Sequence, residues 1–281
     1  MCQLLGMNSL KPAELGFSLA GFLLRGGETD EHADGWGIAL YEEQGCKLVI
    51  DEQASASSPV AAWVQRHTGR SRNVIAHIRK ATQGEVTATN CHPFVRHLWG
   101  QAWCFAHNGN LDKQALRTPR HFTPCGDTDS ELAFCLLFDA LLTRFGEAAP
   151  PEPLLRAALD EVSAEIAQAG NFNYVLSNGD ALFAHRSTEL HYVERAWPFG
   201  KAQLLDCLCE IDFARHNQPD DRMIILATRP LTNEHWQPLP IGRVSAFRKE
   251  RGGLIHIGSA STGGADPCHL VVVPALQAVV V

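Results

Sequence analysis

Thr128-Asp129-Ser130-Glu131 is a capping box, a local signal that fixes where a helix starts, and the apolar run behind it predicts a helix to about Phe145 with Gly146 as its stop. Ala149-Pro150-Pro151-Glu152-Pro153 then reads as a turn between helices of one domain, and residues 154–169 as a second amphipathic helix. This helical pair lies between two sets of short β-like stretches. On the amino-terminal side the pattern predicts strands over 2–7, 35–41, 47–51, 73–79 and 103–106. It also predicts helices over 12–25, with Ser9 near the start and Gly26-Gly27 as the stop, and over 60–67. Residues 82–100 have little periodicity and read as a long loop. On the carboxyl-terminal side, strands are expected over 174–177, 181–185, 190–193, 223–228, 244–247 and 254–257 and in the terminal valine-rich run. Asn178-Gly179-Asp180 turns a hairpin between the first two. Mixed helices and antiparallel strands point to an α+β layered fold.

Composition narrows the function. The 281 residues are 45% hydrophobic and 20% charged, as in a soluble globular protein, and 1–281 is expected to form a single domain. Net charge is −7 with scattered Lys and Arg, which gives no face for nucleic acid. The longest apolar run, 269–281, is broken by Pro274 and Gln277 and is too short for a bilayer, so no membrane contact is expected. Nine cysteines without a CxxC pair, and no amino-terminal signal, read as a cytoplasmic protein with mostly inert thiols. Cys207-Leu208-Cys209 reads as a strand whose two thiols share a buried face.

Cys2 directly follows the initiator, and a small second residue normally lets Met1 be removed. The mature chain would then carry a thiol, pKa about 8.5, and an α-amine, about 7.7–8.0, on one residue, a nucleophile with its own base. Arg79, at the end of a strand, can hold a carboxylate bidentately or simply pair with a surface acid. Asn108-Gly109 in Ala106-His107-Asn108-Gly109 can form a turn or supply oxyanion donors. Asp129, in the first turn of its helix, can complement the helix dipole or receive an ammonium. His77, His92, His97 and His107 lack metal-ligand spacing and read as ordinary hydrogen-bonding groups, with no metal or cofactor implied.

The order of these pieces is specific. Cys2, Arg79 in His77-Ile78-Arg79-Lys80-Ala81-Thr82-Gln83-Gly84, Asn90-Cys91-His92-Pro93, Asn108-Gly109 and Asp129, together with Asp34-Gly35-Trp36-Gly37, resemble the class II glutamine amidotransferase domain. The resemblance implies an N-terminal-nucleophile fold, a four-layer αββα sandwich of two antiparallel sheets. It implies that Cys2 attacks a glutamine side-chain amide and forms a glutamyl thioester, while Asn108 and Gly109 stabilise the oxyanion. Arg79 would hold the substrate carboxylate, Asp129 its ammonium, and Thr82 would complete the pocket. Lys80 and Gln83 depart from the tryptophan and histidine of the large synthases and look more like the stand-alone YafJ-like branch, which includes the γ-glutamyl amide hydrolase of ergothioneine synthesis. On that resemblance the substrate is glutamine or another γ-glutamyl amide, and the fold itself would occupy the chain. Ammonia would be released or passed to a separate ammonia-accepting synthase. The alternative is a catalytically idle regulatory protein that binds glutamine or a γ-glutamyl compound.

Overall fold

The computed structural model describes residues 2–42, 45–250 and 253–257. In chain order the elements are β1 (Gln3–Ala13), α1 (Gly16–Leu24), β2 (Trp36–Glu42), β3 (Gly45–Asp51), α2 (Pro59–His67), β4 (Ser71–Ile78), β5 (Phe94–Leu98) and β6 (Gln101–Leu111). There follow α3 (Asp129–Phe145), α4 (Glu152–Ile166), β7 (Gly170–Ser177), β8 (Ala181–His185), β9 (His191–Ala196) and β10 (Lys201–Gln203). The last are β11 (Glu210–Asp212), β12 (Arg222–Ala227), β13 (Gln237–Pro238), β14 (Val244–Glu250) and β15 (Gly253–Ile257). Seven strands form one sheet in the order β13-β9-β12-β1-β4-β2-β3, and six form a second in the order β15-β14-β8-β7-β6-β5. Neighbouring strands in both sheets run antiparallel. No helix among the described residues is long and apolar enough to cross a membrane.

Alternation of side chains along each strand produces the layers. On β1, Leu5 and Met7 pack with Leu19 and Phe22 of α1 and Val64 of α2, whereas Leu4 packs between the sheets with Val175, Leu182 and Leu226. On β6, Trp103 and Phe105 meet Phe134 and Phe138 of α3, while Cys104 and Ala106 face the opposite sheet. The result is the expected αββα sandwich. The sheets pack closely at Gly6, where a Cβ would lie 3.1 Å from Val175 Cγ1 and 3.3 Å from Leu182 Cδ2.

Several sequence expectations shift. The first helix begins at Gly16 rather than residue 12, because β1 resumes pairing after an irregularity and Ala13 stands opposite Ser71; Ser9 and Pro12 lie on the strand. The loop over 82–100 contains β5, whose exposed middle hides a strand pattern. Asn108 and Gly109 lie within β6, opposite Asn173 and Phe172, and not in a turn. Cys207, Leu208 and Cys209 form the exposed connection between β10 and β11, with Leu208 almost fully in solvent, so they share no buried face. In the capping box the Thr128 hydroxyl accepts from the Glu131 amide at 3.2 Å, but the Glu131 carboxylate serves the amides of Cys125 and Gly126 and the Arg96 guanidinium. The hairpin turn at Asn178-Gly179 and the stop at Gly146 are as expected. The terminal valine-rich run lies outside the described residues.

The Tyr41 side chain is one of the polar ties between the two sheets. The Tyr41 hydroxyl of β2 lies 2.6 Å from the Ser177 carbonyl oxygen and 3.0 Å from that of Ala102, and it accepts from the Cys104 amide at 3.1 Å. Tyr41→Phe leaves these backbone groups without that partner and is expected to cost about 1–3 kcal/mol. A denaturant midpoint unchanged from wild type would refute this bridge.

Candidate active site

Cys2 stands at the start of β1, whose antiparallel partner β4 sets Gln3 opposite Ile78. That register brings the thiol beside Lys80: its sulfur lies 3.3 Å from the Lys80 amide nitrogen, which donates to it, and 3.4 Å from the Lys80 carbonyl oxygen. Burial raises the thiol pKa, and the Lys80 amide and the Arg79 charge offset part of that rise. Cys2 shares a cleft with Arg79, Lys80, Thr82, His107, Gly109 and Asp129, of which Thr82 is the exposed member.

The turn after β4 is held from both sides. Asp34 accepts from the Ala81 amide at 2.7 Å, its own amide donates to the Arg79 carbonyl at 3.1 Å, and the Arg79 amide donates to the Gly35 carbonyl at 2.8 Å. Gly35 has φ +102, and a Cβ there would lie 2.6 Å from the Cys91 sulfur, so the Asp34-Gly35 pair is a structural bracket for the turn. The Arg79 guanidinium is almost wholly buried and donates to the carbonyl oxygens of Glu85 at 2.8 Å, Gln83 at 3.0 Å and Gly84 at 3.3 Å. Arg79 therefore shapes the 83–85 segment as well as giving the cleft its positive charge. Asn90 locks that segment to the helix start by donating to the Glu85 carbonyl at 3.0 Å and to the Asp127 carboxylate at 2.7 Å. Gln83 donates to Asn110 Oδ1 at 2.7 Å and to the Leu111 carbonyl at 2.8 Å, closing the cleft against the end of β6.

Gly109 admits no side chain: a Cβ would fall 1.8 Å from the Asn171 carbonyl oxygen and 2.5 Å from His107 Nε2. Asn108 is fully buried and, unlike Gly109, is not part of the cleft wall. Its Nδ2 lies 3.3 Å from Thr228 Oγ1, which accepts from the Leu4 amide at 2.9 Å, and its Oδ1 has no partner. Exchanging the carboxamide oxygen and nitrogen, an assignment set by the surrounding bonds, lets the Thr228 hydroxyl donate to the amide oxygen and leaves the amide N–H₂ as the unpartnered group. Thr228, the partner of Asn108, was not singled out by sequence reasoning; a threonine at a strand end carries no motif.

Asp129 is buried at the first position of α3 and accepts from the Leu111 amide at 2.8 Å, which fixes the helix start against the end of β6. Beside it, His107 contacts Ser130 Oγ at 2.8 Å through Nδ1 and the Asn171 carbonyl at 3.0 Å through Nε2. His77 Nε2 lies 3.1 Å from the His107 carbonyl oxygen and 3.0 Å from His92 Nδ1, so three of the four noted histidines are linked in one buried column. His97 stands apart and exposed on β5. No group of metal-ligating side chains occurs among the described residues.

Comparison with known proteins follows the same lines. Residues 1–269 match the family described as class-II glutamine amidotransferases. Two relatives carry the name "Putative glutamine amidotransferase". One, from Haemophilus influenzae, is 47% identical over 249 residues, covering 88% of this chain and 84% of the relative. The other, YafJ of Escherichia coli, is 43% identical over 248 residues, covering 88% and 97%. A Pseudomonas aeruginosa crystal structure described as a "predicted glutamine amidotransferase" superposes with TM-score 0.67 at 37% identity, covering 88% of this chain and 97% of that one.

The histidine column sets a pH limit on the fold. Burial pushes His77 and His92 well below the ordinary histidine range, and the neighbouring imidazoles push the same way. They stay neutral in the folded chain, whereas the unfolded chain binds protons below about pH 6.5. Between the lowered folded values and 6.5 the unfolded state holds more protons, so stability falls as pH falls. The denaturant midpoint is expected to drop from pH 7 to pH 5, with a shallower drop in His92→Gln. A midpoint flat across this window would contradict the neutral column.

Proposed function

Because the chain belongs to the class-II glutamine amidotransferases, we propose that it is a cysteine amidohydrolase. It would act on glutamine or another γ-glutamyl amide, with Cys2 as nucleophile. The observation that carries this reading is the convergence of Cys2, Arg79, Thr82, Gly109 and Asp129 on one cleft. Removal of Met1 would place the α-amine of Cys2 on the atom next to the thiol-bearing carbon. The thiol then adds to the amide carbon while its proton passes to the amine, which suits a site where burial disfavours a free thiolate. The oxyanion of the adduct would be held by the Gly109 N–H and by the Asn108 carboxamide in the orientation in which the Thr228 hydroxyl donates to its oxygen. The protonated amine returns its proton to the leaving nitrogen, releasing ammonia or an amine and leaving a glutamyl thioester. Water attacks the thioester carbonyl, glutamate departs, and the thiol is restored. We take residues 1–281 as one amidohydrolase domain and a separate synthase as the potential acceptor of the ammonia.

At the other end of the substrate, the α-ammonium would approach Asp129, whose second carboxylate oxygen is free of the Leu111 amide bond. The α-carboxylate would compete with the carbonyls of 83–85 for the Arg79 guanidinium. The bonds to the carbonyls are already charge-assisted on the donor side; what a carboxylate adds is its own net charge and a bidentate fit to the planar guanidinium, and these favour it in that competition. Arg79→Lys keeps the charge but loses the planar fork, and KM is expected to rise about ten-fold or more with a smaller effect on kcat.

The decisive experiment is glutamate release from L-glutamine by untagged protein shown to begin at Cys2, beside Cys2→Ala. Turnover is expected in the first and a loss of at least about 10³-fold in the second. Equal rates in both would end the assignment of Cys2, and absence of turnover in the processed protein on L-glutamine and on γ-glutamyl amides would end the amidohydrolase reading.

Thr228 is assigned a positioning role, which separates it from a merely structural threonine. Thr228→Val is expected to lower kcat about ten-fold or more with KM little changed, and Thr228→Ser to restore it. A Val variant with unaltered kcat would show that Asn108 needs no such partner.

A further inference from the structure

Away from the cleft, two thiols meet between the sheets. Cys46 lies on β3 directly opposite Tyr41 of β2, and Cys104 lies on β6 directly opposite Ser177 of β7. The Tyr41 hydroxyl reaches the Ser177 carbonyl at 2.6 Å and accepts from the Cys104 amide at 3.1 Å, so the two cross-strand pairs face one another across the interlayer space. The sulfurs are 2.9 Å apart. A disulfide bond is about 2.05 Å long, so closing the pair takes less than about 1 Å of travel within a frame that Tyr41 already fixes.

The two thiols are unequal in the way an exchange reaction needs. Cys104 is fully buried, whereas Cys46 is partly open to solvent. The contact with Cys104 lowers the pKa of Cys46, while the same contact and burial raise that of Cys104. Cys46 is therefore the accessible, more nucleophilic thiol, and Cys104 is the sheltered one.

We propose that Cys46 and Cys104 are an oxidation site that takes a low-molecular-weight disulfide as its co-substrate and closes to an inter-sheet disulfide. The Cys46 thiolate attacks one sulfur of the small disulfide, forming a mixed disulfide and expelling one thiolate. Cys104 gives up its proton to that thiolate and attacks the Cys46 sulfur, expelling the second. Two protein thiols lose two electrons and two protons, and the small disulfide becomes two thiols. The bond would tie edge strand β3 to β6, closing a separation of 58 residues in sequence. Asn108 lies on the same face of β6 as Cys104, four residues on, so the staple is anchored on the strand that carries the proposed oxyanion donors. The proposal stands independently of the catalytic reading, since neither thiol lines the cleft.

The test is incubation of the full-length protein with oxidised glutathione, followed by alkylation under denaturing conditions and non-reducing peptide mapping. The expected result is a cross-linked peptide pair containing Cys46 and Cys104, two hydrogens lighter than the reduced peptides and released by dithiothreitol. A rise in Tm of about 5 °C or more should accompany it in wild type and be absent in Cys46→Ser. The proposal is overturned if Cys46 stops at the glutathione mixed disulfide while Cys104 remains alkylatable. It is equally overturned if both thiols remain free while Cys2 takes up glutathione.

Discussion

The antiparallel ladder between β1 and β4 is the constraint on which the rest of the site depends. It holds Gln3 opposite Ile78, so the residue before β1 and those after β4 must come out together, and the Cys2 sulfur meets the Lys80 backbone. β1 is paired on its other edge by β12, which sets the Thr228 hydroxyl under the Leu4 amide and next to Asn108 of the opposing sheet. Cys2, directly before a strand paired on both edges in the middle of seven, has little freedom to drift. Supporting groups on strand and helix ends share that rigidity.

The neighbourhood of this ladder is expensive to build. Buried imidazoles, a buried guanidinium and a buried carboxylate sit within a few residues of the cleft, and each must find partners or stay neutral. Arg79 is satisfied by carbonyls of the segment it organises, and Asp129 by the Leu111 amide. The histidines stay uncharged. Gly109 is the sharpest compromise, because only hydrogen fits between β6 and the Asn171 carbonyl where the strand must pass close to its partner.

Much of this was legible in the chain and some was not, for physical reasons. The α3 start at Thr128 and its stop at Gly146 were readable because capping is local. A layered α+β fold was readable from strands mixed with helices, whereas the αββα order came from the family resemblance. Gly109 invited a turn reading, since its need for no side chain comes from Asn171, more than sixty residues away. β5 escaped because three of its five residues are not buried, which removes the alternation that marks a strand. The strand assigned to Cys207-Leu208-Cys209 failed for the opposite reason: apolar residues alone do not specify burial, and Leu208 projects into solvent. Thr228 and the Cys46–Cys104 contact were invisible because each depends on how two sheets face one another.

Lys80 and Gln83, the two departures from the pattern of the large synthases, are explained by what they touch. Lys80 pairs with Glu31, on the connection leading from α1, and supplies its backbone amide to the Cys2 sulfur. Gln83 uses its amide nitrogen to bridge Asn110 and Leu111, so one wall of the cleft is joined to β6 by hydrogen bonds to neutral groups. Neither side chain is needed to hold the Arg79 or Asp129 charges, which have their own backbone partners. The two positions can therefore vary without dismantling the charged ends of the cleft.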